Sequence, residues 1–404
     1  MKKRLFSLAL IIITIFISIV GCAENKEEET ILPEIKIIQN GTFKICALLP
    51  ESEKSTQNIE NGIKFANSLA NTVNIGETID ISYNCTYYSE NEDIKSTTEK
   101  LINENASVII FAGDDHEIFQ GFTEYTDEYK VPVISLSPFT HSANNYFSIT
   151  LRPKYLASSA ASYALDKGYK KTAVIFESSD KYFSDQEEVY RNTFSSCLGN
   201  LPAVYYQKGE NANYSASALS GSNYDFILLI DTDNTREGTI NELRTAGYSG
   251  EIMLSEILNK ADVQKDTYNN CSFISKLEND SSNNVATMLI PKLASALNVK
   301  EDQISAATAY GYDAYMTALE GLKHFSSSTD SAFAGVISSE VSTTTQAPEN
   351  ITAAQYTNAL SSISYVGING LITFKNNEVT PSYIYIDNIF ESESVFNKKY
   401  NFQN

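Results

Sequence analysis

Tryptophan is absent from this chain, and histidine occurs only three times among 404 residues. His116, His141 and His324 are scattered, and none has a partner at the spacing of a metal-ligand pair. The motifs G-x-S-x-G, the Walker loop, H-E-x-x-H and a G-x-G-x-x-G after a strand are missing as well. We therefore expect no enzyme, no bound cofactor and no metal.

Basic residues are also in short supply. The chain has 30 Lys and Arg against 50 Asp and Glu, which gives a formal net charge of -20 and a pI near 4.6. This balance argues against nucleic acid as a partner and against broad contact with anionic membranes. It is typical of a soluble exported protein.

Cysteine occurs five times, and the position of the first one is informative. Basic residues at positions 2–4 precede an apolar run from Leu5 to Val20, after which come Gly21 and Cys22. This is the layout of a secretory signal over residues 1–21, and the run is shorter than the roughly 20 residues of a membrane span. Residues 19–22 resemble the lipobox of bacterial lipoproteins. The resemblance implies cleavage before Cys22, lipid such as palmitate on that residue, and an exported protein anchored at the cell membrane or its periplasmic face; an uncleaved signal anchor is the alternative.

The other four cysteines allow three disulfide pairings, and the sequence does not choose among them. They are Cys46, Cys85, Cys197 and Cys271. Cys46 and Cys85 lie on two strands that we expect to be neighbours, so a bond between them is one alternative and free buried thiols are the other. No C-x-x-C is present, which leaves a redox or zinc role without support.

The pattern that follows predicts an α/β fold. Residues 23–30, directly after Cys22, are polar and acidic, so we expect a disordered tether over residues 22–42. From Lys44 to about Leu254, short β-branched runs alternate with amphipathic segments, which is typical of parallel sheets with helices on both faces. The remaining length favours two such doubly wound lobes over one core.

The boundaries of the two lobes follow from where the βα pattern restarts. We expect the first lobe at 43–151, completed by about 275–325, and the second at 152–274, completed by about 350–395. Residues 325–348 are rich in Ser and Thr and predict a long loop or insertion. Gly370–Phe374 and Ser382–Ile386 are interpreted as paired strands that close the fold.

Five groups of residues together carry a family resemblance. They are Ile45–Pro50 with Asn61–Ala66, Val108–Gly113 with Val131–Ser135, Gly168–Ile175, Ala309–Ala314 and Gly367–Phe374. In this order they resemble the type I periplasmic binding proteins, in the leucine/isoleucine/valine-binding branch of ABC importers. The resemblance implies two lobes joined by three crossovers, a small ligand held in the cleft as the lobes close, and a membrane permease as partner.

The resemblance also implies a set of ligand-binding residues. They are His116, Glu117, Ser137, Phe139 and Thr140 of the first lobe, and Tyr182, Asp233 and Glu256 of the second. Glu256 corresponds to the acid that meets the ligand ammonium, and Tyr182 to an aromatic that covers the ligand. Asp231, like Asp233, follows a strand that ends at the cleft.

The first-lobe loops depart from the family pattern. At 113–118 an acid or His replaces the Ser of Gly-Pro-x-x-Ser-Gly, and at 135–140 Phe139 replaces the Thr of Ser-x-Ala-Thr. If Asp114, Asp115 and Glu117 face the cleft, a cationic or amine-bearing ligand would fit better than a plain amino acid. The alternative is that Asp114 and Asp115 only cap the helix that follows.

These observations predict a lipid-anchored solute-binding protein of an ABC importer that captures an amino-acid-like or amine-bearing ligand. A ligand-sensing or envelope-regulatory lipoprotein with the same fold, without transport, is the alternative function.

Overall fold

The computed structural model describes residues 35–51, 55–75, 77–89, 92–177, 181–199, 202–206, 213–230, 233–257, 263–275, 283–325, 350–381 and 383–401. The predicted signal, Cys22, residues 22–34 of the predicted tether and nearly all of the predicted loop at 325–348 lie outside these residues. The prediction of a disordered tether is wrong for residues 35–42, because Ile37 and Ile38 are buried and residues 38–39 pair with residues 42–43. Among the residues described, no helix has the length and apolar character needed to cross a membrane.

Strands and helices alternate along most of the chain. The strands are β1 (Ile38–Gln39), β2 (Thr42–Pro50), β3 (Thr72–Asn74), β4 (Thr78–Tyr88), β5 (Val108–Phe111), β6 (Val133–Ser135), β7 (Tyr146–Ser148), β8 (Thr172–Phe176), β9 (Ala203–Tyr206), β10 (Phe226–Ile230), β11 (Glu251–Ile257), β12 (Cys271–Ser275), β13 (Ser364–Gly367), β14 (Gly370–Lys375), β15 (Glu378–Val379), β16 (Tyr383–Phe390) and β17 (Glu393–Asn401). The helices are α1 (Thr56–Leu69), α2 (Ile94–Asn103), α3 (His116–Tyr129), α4 (Pro153–Asp166), α5 (Lys181–Leu198), α6 (Ala216–Ser220), α7 (Asp233–Thr245), α8 (Asn284–Leu297), α9 (Ala306–Lys323) and α10 (Ala353–Ser361).

The strands form two sheets, one for each lobe. The first has the order β13-β14-β15-β7-β6-β5-β2-β4-β3, with β1 beside β2, and the second has the order β17-β16-β12-β11-β10-β8-β9. The central strands β4, β2, β5, β6 and β7 are parallel, as are β9, β8, β10, β11 and β12. Antiparallel strands are added at the margins of both sheets.

Each sheet is covered on both faces, which confirms the doubly wound prediction. Strands β5 and β10 are buried along their whole length because helices lie above and below them. The first sheet has one apolar core with α1, α8, α9 and α10 and another with α2 and α3. The second sheet packs against α4 and α5 on one face and against α6 and α7 on the other.

The C-terminal strands correct one predicted boundary. We expected residues 350–395 to complete the second lobe, but β13, β14 and β15 extend the first sheet, and only β16 and β17 join the second. The predicted pairing of 370–374 with 382–386 is also wrong, because β14 pairs with β13 and β15 whereas β16 pairs with β12 and β17. A strand pattern identifies a strand but does not identify its neighbour in the sheet.

A buried carboxylate explains why the β13–β14 hairpin belongs to the first lobe. Asp313 of α9 accepts hydrogen bonds from the backbone amides of Ile368 and Asn369, at 2.8 and 2.9 Å, and from Asn369 Nδ2 at 3.0 Å. A Cβ atom at Gly367 would stand 2.3 Å from Asp313 Oδ1. The Gly-Tyr-Asp-Ala helix and the Gly-x-x-Gly strand of the sequence motif are therefore one structural unit.

The chain passes between the two lobes three times, as the resemblance implies. The first crossover is residues 149–152, between β7 and α4; the second lies between β12 and α8; the third follows β15, includes residues 380–381 and leads to β16. The first and third of these connections are short, at about three to four residues.

The register of β2 and β4 shows whether Cys46 and Cys85 can form a disulfide. Cys46 lies opposite Asn84, and Ala47 lies opposite Cys85. Side chains alternate between the faces of a sheet, so Cys46 and Cys85 point to opposite faces and cannot form a disulfide. Cys46, Cys85, Cys197 and Cys271 are all free thiols.

Candidate functional site

A cavity of about 320 Å³ lies at the carboxyl ends of the first-sheet strands, where the second lobe faces them. Ligands of doubly wound sheets bind at this end of the strands. The residues that line the cavity are Ser55, Ile59, Ala112, Gly113, Asp114, Leu136, Pro138, Thr150, Leu151, Leu156, Tyr182, Ala306, Ala307 and Tyr310. Both lobes therefore contribute to one wall, which is mainly apolar and carries a few hydroxyl groups.

Gly113 forms the part of the wall that follows β5. Its φ of +151° and the closeness of Tyr88 both require glycine, since a Cβ atom there would stand 2.0 Å from Tyr88 Oη. The same Tyr88 hydroxyl donates a hydrogen bond to the carbonyl of Ala112 at 2.8 Å. The backbone of this loop is thus held against the core, and its atoms form the cavity surface.

Helices α1 and α9 cross at glycines beside the cavity. A Cβ atom at Gly62 would stand 1.9 Å from the carbonyl oxygen of Thr308, and one at Gly311 would stand 2.0 Å from the carbonyl oxygen of Ile59. The two backbones are therefore in direct contact. This close crossing brings Ile59 and Tyr310 into the same wall.

Four helices begin at the cavity. Ser55 precedes α1, Asp114 precedes α3, Tyr182 is the second residue of α5, and Ala306 and Ala307 open α9. A helix N-terminus carries a partial positive charge and favours anionic groups. The cavity thus combines an apolar wall with several positive helix ends and a single acid, Asp114, among the described residues that line it.

The acids around Asp115 have different environments. Asp115 caps α3, because its Oδ1 accepts hydrogen bonds from the amides of Glu117 and Ile118 at 2.8 and 2.9 Å. The capping alternative therefore holds for Asp115. Asp114 lines the cavity, whereas Glu117 and His116 are exposed and do not line it.

The loop after β6, residues Leu136–Thr140 (the 136–140 loop), carries three of the predicted site residues. Ser137 is buried and its hydroxyl accepts a hydrogen bond from the amide of Phe139 at 3.4 Å. The Phe139 ring packs 5.3 Å from Phe119 and 5.1 Å from His116, between ring centroids. Thr140 is exposed. The structure does not bring Ser137, Phe139 or Thr140 into the wall of the cavity, to which the loop contributes Leu136 and Pro138 instead.

Tyr146 contacts Ser135, the residue directly before this loop. The Tyr146 hydroxyl donates a hydrogen bond to the hydroxyl of Ser135, at the end of β6. Burial raises the pKa of Tyr146 to about 12, although the nearby charge of Arg152 opposes the rise. Tyr146 is therefore a neutral donor at physiological pH.

Among the second-lobe predictions, Tyr182 lines the cavity. Asp233 is the first residue of α7 and Glu256 lies on β11, but their side chains lie outside the described part of the structure, as does Asp231. The roles expected for these acids remain predictions.

Several lining residues are absent from the sequence-based set. Ile59 and Tyr310 lie on apolar faces of their helices, a pattern that by itself indicates core. Thr150 and Leu151 directly follow β7 and belong to the first crossover. The signal that could identify them is their position at the end of a strand or in the first turns of a helix.

The two α/β lobes, the three crossovers and the cavity to which both lobes contribute are the features of a two-lobed binding protein. The chain belongs to the periplasmic binding protein family, whose model matches residues 49–385. Membership implies an exported protein, and the family is one of binding proteins rather than enzymes.

Solved structures have the same fold. A leucine-binding protein from Thermotoga maritima is 16% identical, with 89% of this chain and 98% of that chain covered and a TM-score of 0.70. A solute-binding protein of an ABC transporter from R. palustris, in complex with benzoate, is 13% identical over 88% and 95% of the two chains, with a TM-score of 0.67. A branched-chain amino acid binding protein from Streptococcus pneumoniae, in complex with isoleucine, is 14% identical over 88% and 100%, with a TM-score of 0.66. No curated protein sequence gives a significant match.

Proposed function

We propose that this protein is the lipid-anchored solute-binding component of an ABC importer and captures a small amino-acid-like ligand by closure of its two lobes. The observation that carries the proposal is the cavity to which both lobes contribute, with Leu156 and Tyr182 of the second lobe beside Ser55 and Ala306 of the first. A ligand that contacts both lobes favours the closed state by its differential affinity for that state.

The size and chemistry of the cavity favour a small ligand. At about 320 Å³ it lies at the lower end of the volumes of ligand pockets, which span roughly 300–1,000 Å³. Leu136, Leu151 and Leu156 offer an apolar surface, and Tyr182 and Tyr310 add two aromatic rings. A ligand with a compact apolar body suits this wall.

The charges of the cavity favour a ligand that carries a carboxylate. The N-termini of α1 and α9 favour an anionic group, and Asp114 is suitably placed in the wall to pair with an ammonium. A zwitterion satisfies both ends. A diamine without a carboxylate would gain from Asp114 but would meet the positive helix ends, so we rank it below an amino acid.

Proteins of the same fold agree with this ranking. The three compared proteins are a leucine-binding protein, a protein in complex with benzoate and a protein in complex with isoleucine. All three compounds carry a carboxylate on a compact apolar body. Identities of 13–16% support the fold, and the extension to the ligand of this chain is our inference.

Mass spectrometry of small molecules released from the purified full chain would identify a co-purified ligand. A thermal-shift titration with L-leucine, benzoate and putrescine would then separate a zwitterion, a carboxylate and a diamine. A ligand at 100 times its Kd stabilises the folded state by about 2.7 kcal/mol, which gives a clear rise in Tm. Stabilisation by putrescine alone would contradict the ranking. The proposed function would be contradicted if no small molecule is released from the protein and none stabilises it.

Measuring ligand uptake distinguishes a transport function from a sensing function. If the protein serves an importer, deletion of its gene should abolish uptake of the identified ligand, and permease and ATPase genes are expected beside it. Unchanged uptake with a lost response to the ligand would favour the sensing alternative.

A further inference from the structure

Arg152 occupies the first crossover, directly before α4. It is only 1% exposed although its side chain is charged. Its neighbours Thr150 and Leu151 line the cavity. A buried guanidinium is costly unless charged and polar partners surround it, so its contacts show what it holds in place.

One side of the guanidinium holds the 136–140 loop. Nη1 donates to the carbonyl of Pro138 at 3.1 Å and to the carbonyl of Phe139. Thr150 Oγ1 adds a hydrogen bond to the carbonyl of Ser137 at 3.0 Å. Three successive carbonyls of the loop are therefore tied to the first crossover.

The other side of the guanidinium contacts the strand that leads to the third crossover. Nε lies 3.2 Å from Oε1 of Glu378, on β15, and Lys154 Nζ lies 3.0 Å from the other oxygen of the same carboxylate. The Tyr155 hydroxyl reaches Thr380 Oγ1, in the third crossover, at 3.4 Å. Arg152 thus contacts both the 136–140 loop and β15, two residues before Thr380 of the third crossover.

Arg152 is suited to this position because its planar group presents donors in fixed directions. A lysine could pair with Glu378, but its single ammonium could not also keep the two carbonyls of the loop in this geometry. The arginine therefore combines the hydrogen bonds to the loop carbonyls with the ion pair to Glu378, which a lysine would not do in this geometry.

We propose that Arg152 is a positioning residue of the binding site: its Nη1 holds the 136–140 loop, and with it Leu136 and Pro138 of the cavity wall, while its charge pairs with Glu378 of β15. This inference rests on the proposed function, because it takes the cavity as the ligand site.

Hydrogen–deuterium exchange of the ligand-free full chain tests the proposal without any ligand. Arg152→Lys should accelerate exchange of the amides of residues 136–140 by about tenfold, which corresponds to about 1.4 kcal/mol. The buried strand β10 is the internal reference, and its exchange should not change. Glu378→Gln should alter loop exchange by less than twofold, because the Nη1 bonds do not involve the carboxylate.

Lys154→Gln is the matched control. Lys154 pairs with the same carboxylate but is half exposed, so its loss should leave loop exchange unchanged. Unaltered loop exchange in Arg152→Lys would overturn the proposal. So would an acceleration in β10 as large as that in the loop, since it would reveal a general loss of stability.

Calorimetry with L-leucine provides a second readout. Arg152→Lys should raise the Kd for L-leucine about tenfold relative to Lys154→Gln, and equal Kd values would count against the proposal. If the unaltered chain binds neither L-leucine nor benzoate, the proposed ligand class fails, whereas the exchange experiment still decides the role of Arg152.

Discussion

Gly113 shows how a single residue shapes the cavity. Its backbone conformation and the Tyr88 hydroxyl 2.0 Å from an added Cβ atom both exclude a side chain. Gly168 offers a useful contrast, because it also has a positive φ, +78°, but has nothing within 4 Å of an added Cβ atom. Comparing substitutions at the two positions therefore distinguishes the cost of backbone strain from the cost of a steric clash.

We expect Gly113→Ala to destabilise the protein more than Gly168→Ala, by about 1–3 kcal/mol, because overpacking adds to the strain that both substitutions share. Urea denaturation of both variants measures the difference. In the Tyr88→Phe background the cost of Gly113→Ala should fall, since the hydroxyl in conflict is removed. An equal loss of free energy of unfolding in Gly113→Ala and Gly168→Ala would show that Tyr88 moves away from the added methyl group at no cost.

Glu60, on α1, gives the stability a defined pH dependence. Burial raises its pKa, but hydrogen bonds from Lys64, Tyr87 and Gln57 outweigh this, so that the pKa lies below 4.5. The distance from Lys64 Nζ to Glu60 Oε1 is 2.8 Å. A carboxyl with a lowered pKa in the folded state stabilises it above the pKa of the unfolded chain, and that contribution is lost as the pH falls through the folded value.

Glu60→Gln should therefore lower the free energy of unfolding at pH 7 by roughly 0.5–1.5 kcal/mol, as for an ordinary hydrogen bond. The difference from the unaltered protein should shrink as the pH falls from about 5 to about 3, near and below the ordinary pKa of Glu. Urea denaturation across this range measures it. A difference that stays constant down to pH 3 would contradict the assignment.

At the scale of elements, the contact between α1 and α9 determines the shape of one side of the cavity. The helices approach so closely at Gly62 and Gly311 that each glycine meets a backbone carbonyl of the other helix. Gly238, inside α7, has nothing within 4 Å of an added Cβ atom. Two glycines are thus required by packing, and one is not.

We expect Gly62→Ala and Gly311→Ala each to destabilise the protein by about 1–3 kcal/mol, because backbone against backbone cannot adjust without separating the helices. Gly238→Ala should instead stabilise it by about 0.5–1 kcal/mol, since alanine is favoured over glycine within a helix. Chemical denaturation provides the comparison. The first two variants should also bind ligand more weakly, because Ile59 and Tyr310 would move with their helices.

At the scale of the whole molecule, Cys22 is the residue on which the predicted membrane location depends. The family implies export, and the sequence around Cys22 predicts that lipid retains the exported protein at the membrane. Because residues 35–42 pack on the first lobe, only about 13 residues remain for the tether, and with the dimensions of a random coil they would span roughly 20 Å. The binding lobes would then stay close to the permease that we propose as their partner.

Cys22→Ser should move the protein from the membrane fraction to the soluble fraction when it is expressed in a bacterial host, because no lipid can be attached. Cys197→Ser, at an exposed free thiol, is the matched control and should remain with the membrane. Intact mass spectrometry should show the mass of acyl chains only in the control. Membrane retention of both variants would favour the uncleaved anchor.

The sequence predicted most elements because burial and periodicity are local properties. The alternation of short β-branched runs with amphipathic segments from Lys44 to about Leu254 coincides with the strands and helices from β2 to β11. The partners of β14 and β16 could not be predicted, since pairing depends on tertiary contacts such as that of Asp313 with the β13–β14 hairpin. For the same reason the apolar residues Ile59 and Tyr310 gave no sign that they line a cavity.

Neither lobe is continuous along the chain, and this affects when each can fold during export. The first sheet is complete only with β13, β14 and β15, and the second only with β16 and β17, which end at Asn401 of 404 residues. A chain that crosses a membrane from its N-terminus leaves both lobes without their last strands until β13 to β17 have emerged. Because domains tend to fold as units, we expect the chain to stay unfolded throughout translocation and to fold only on release, which suits passage through a narrow export channel.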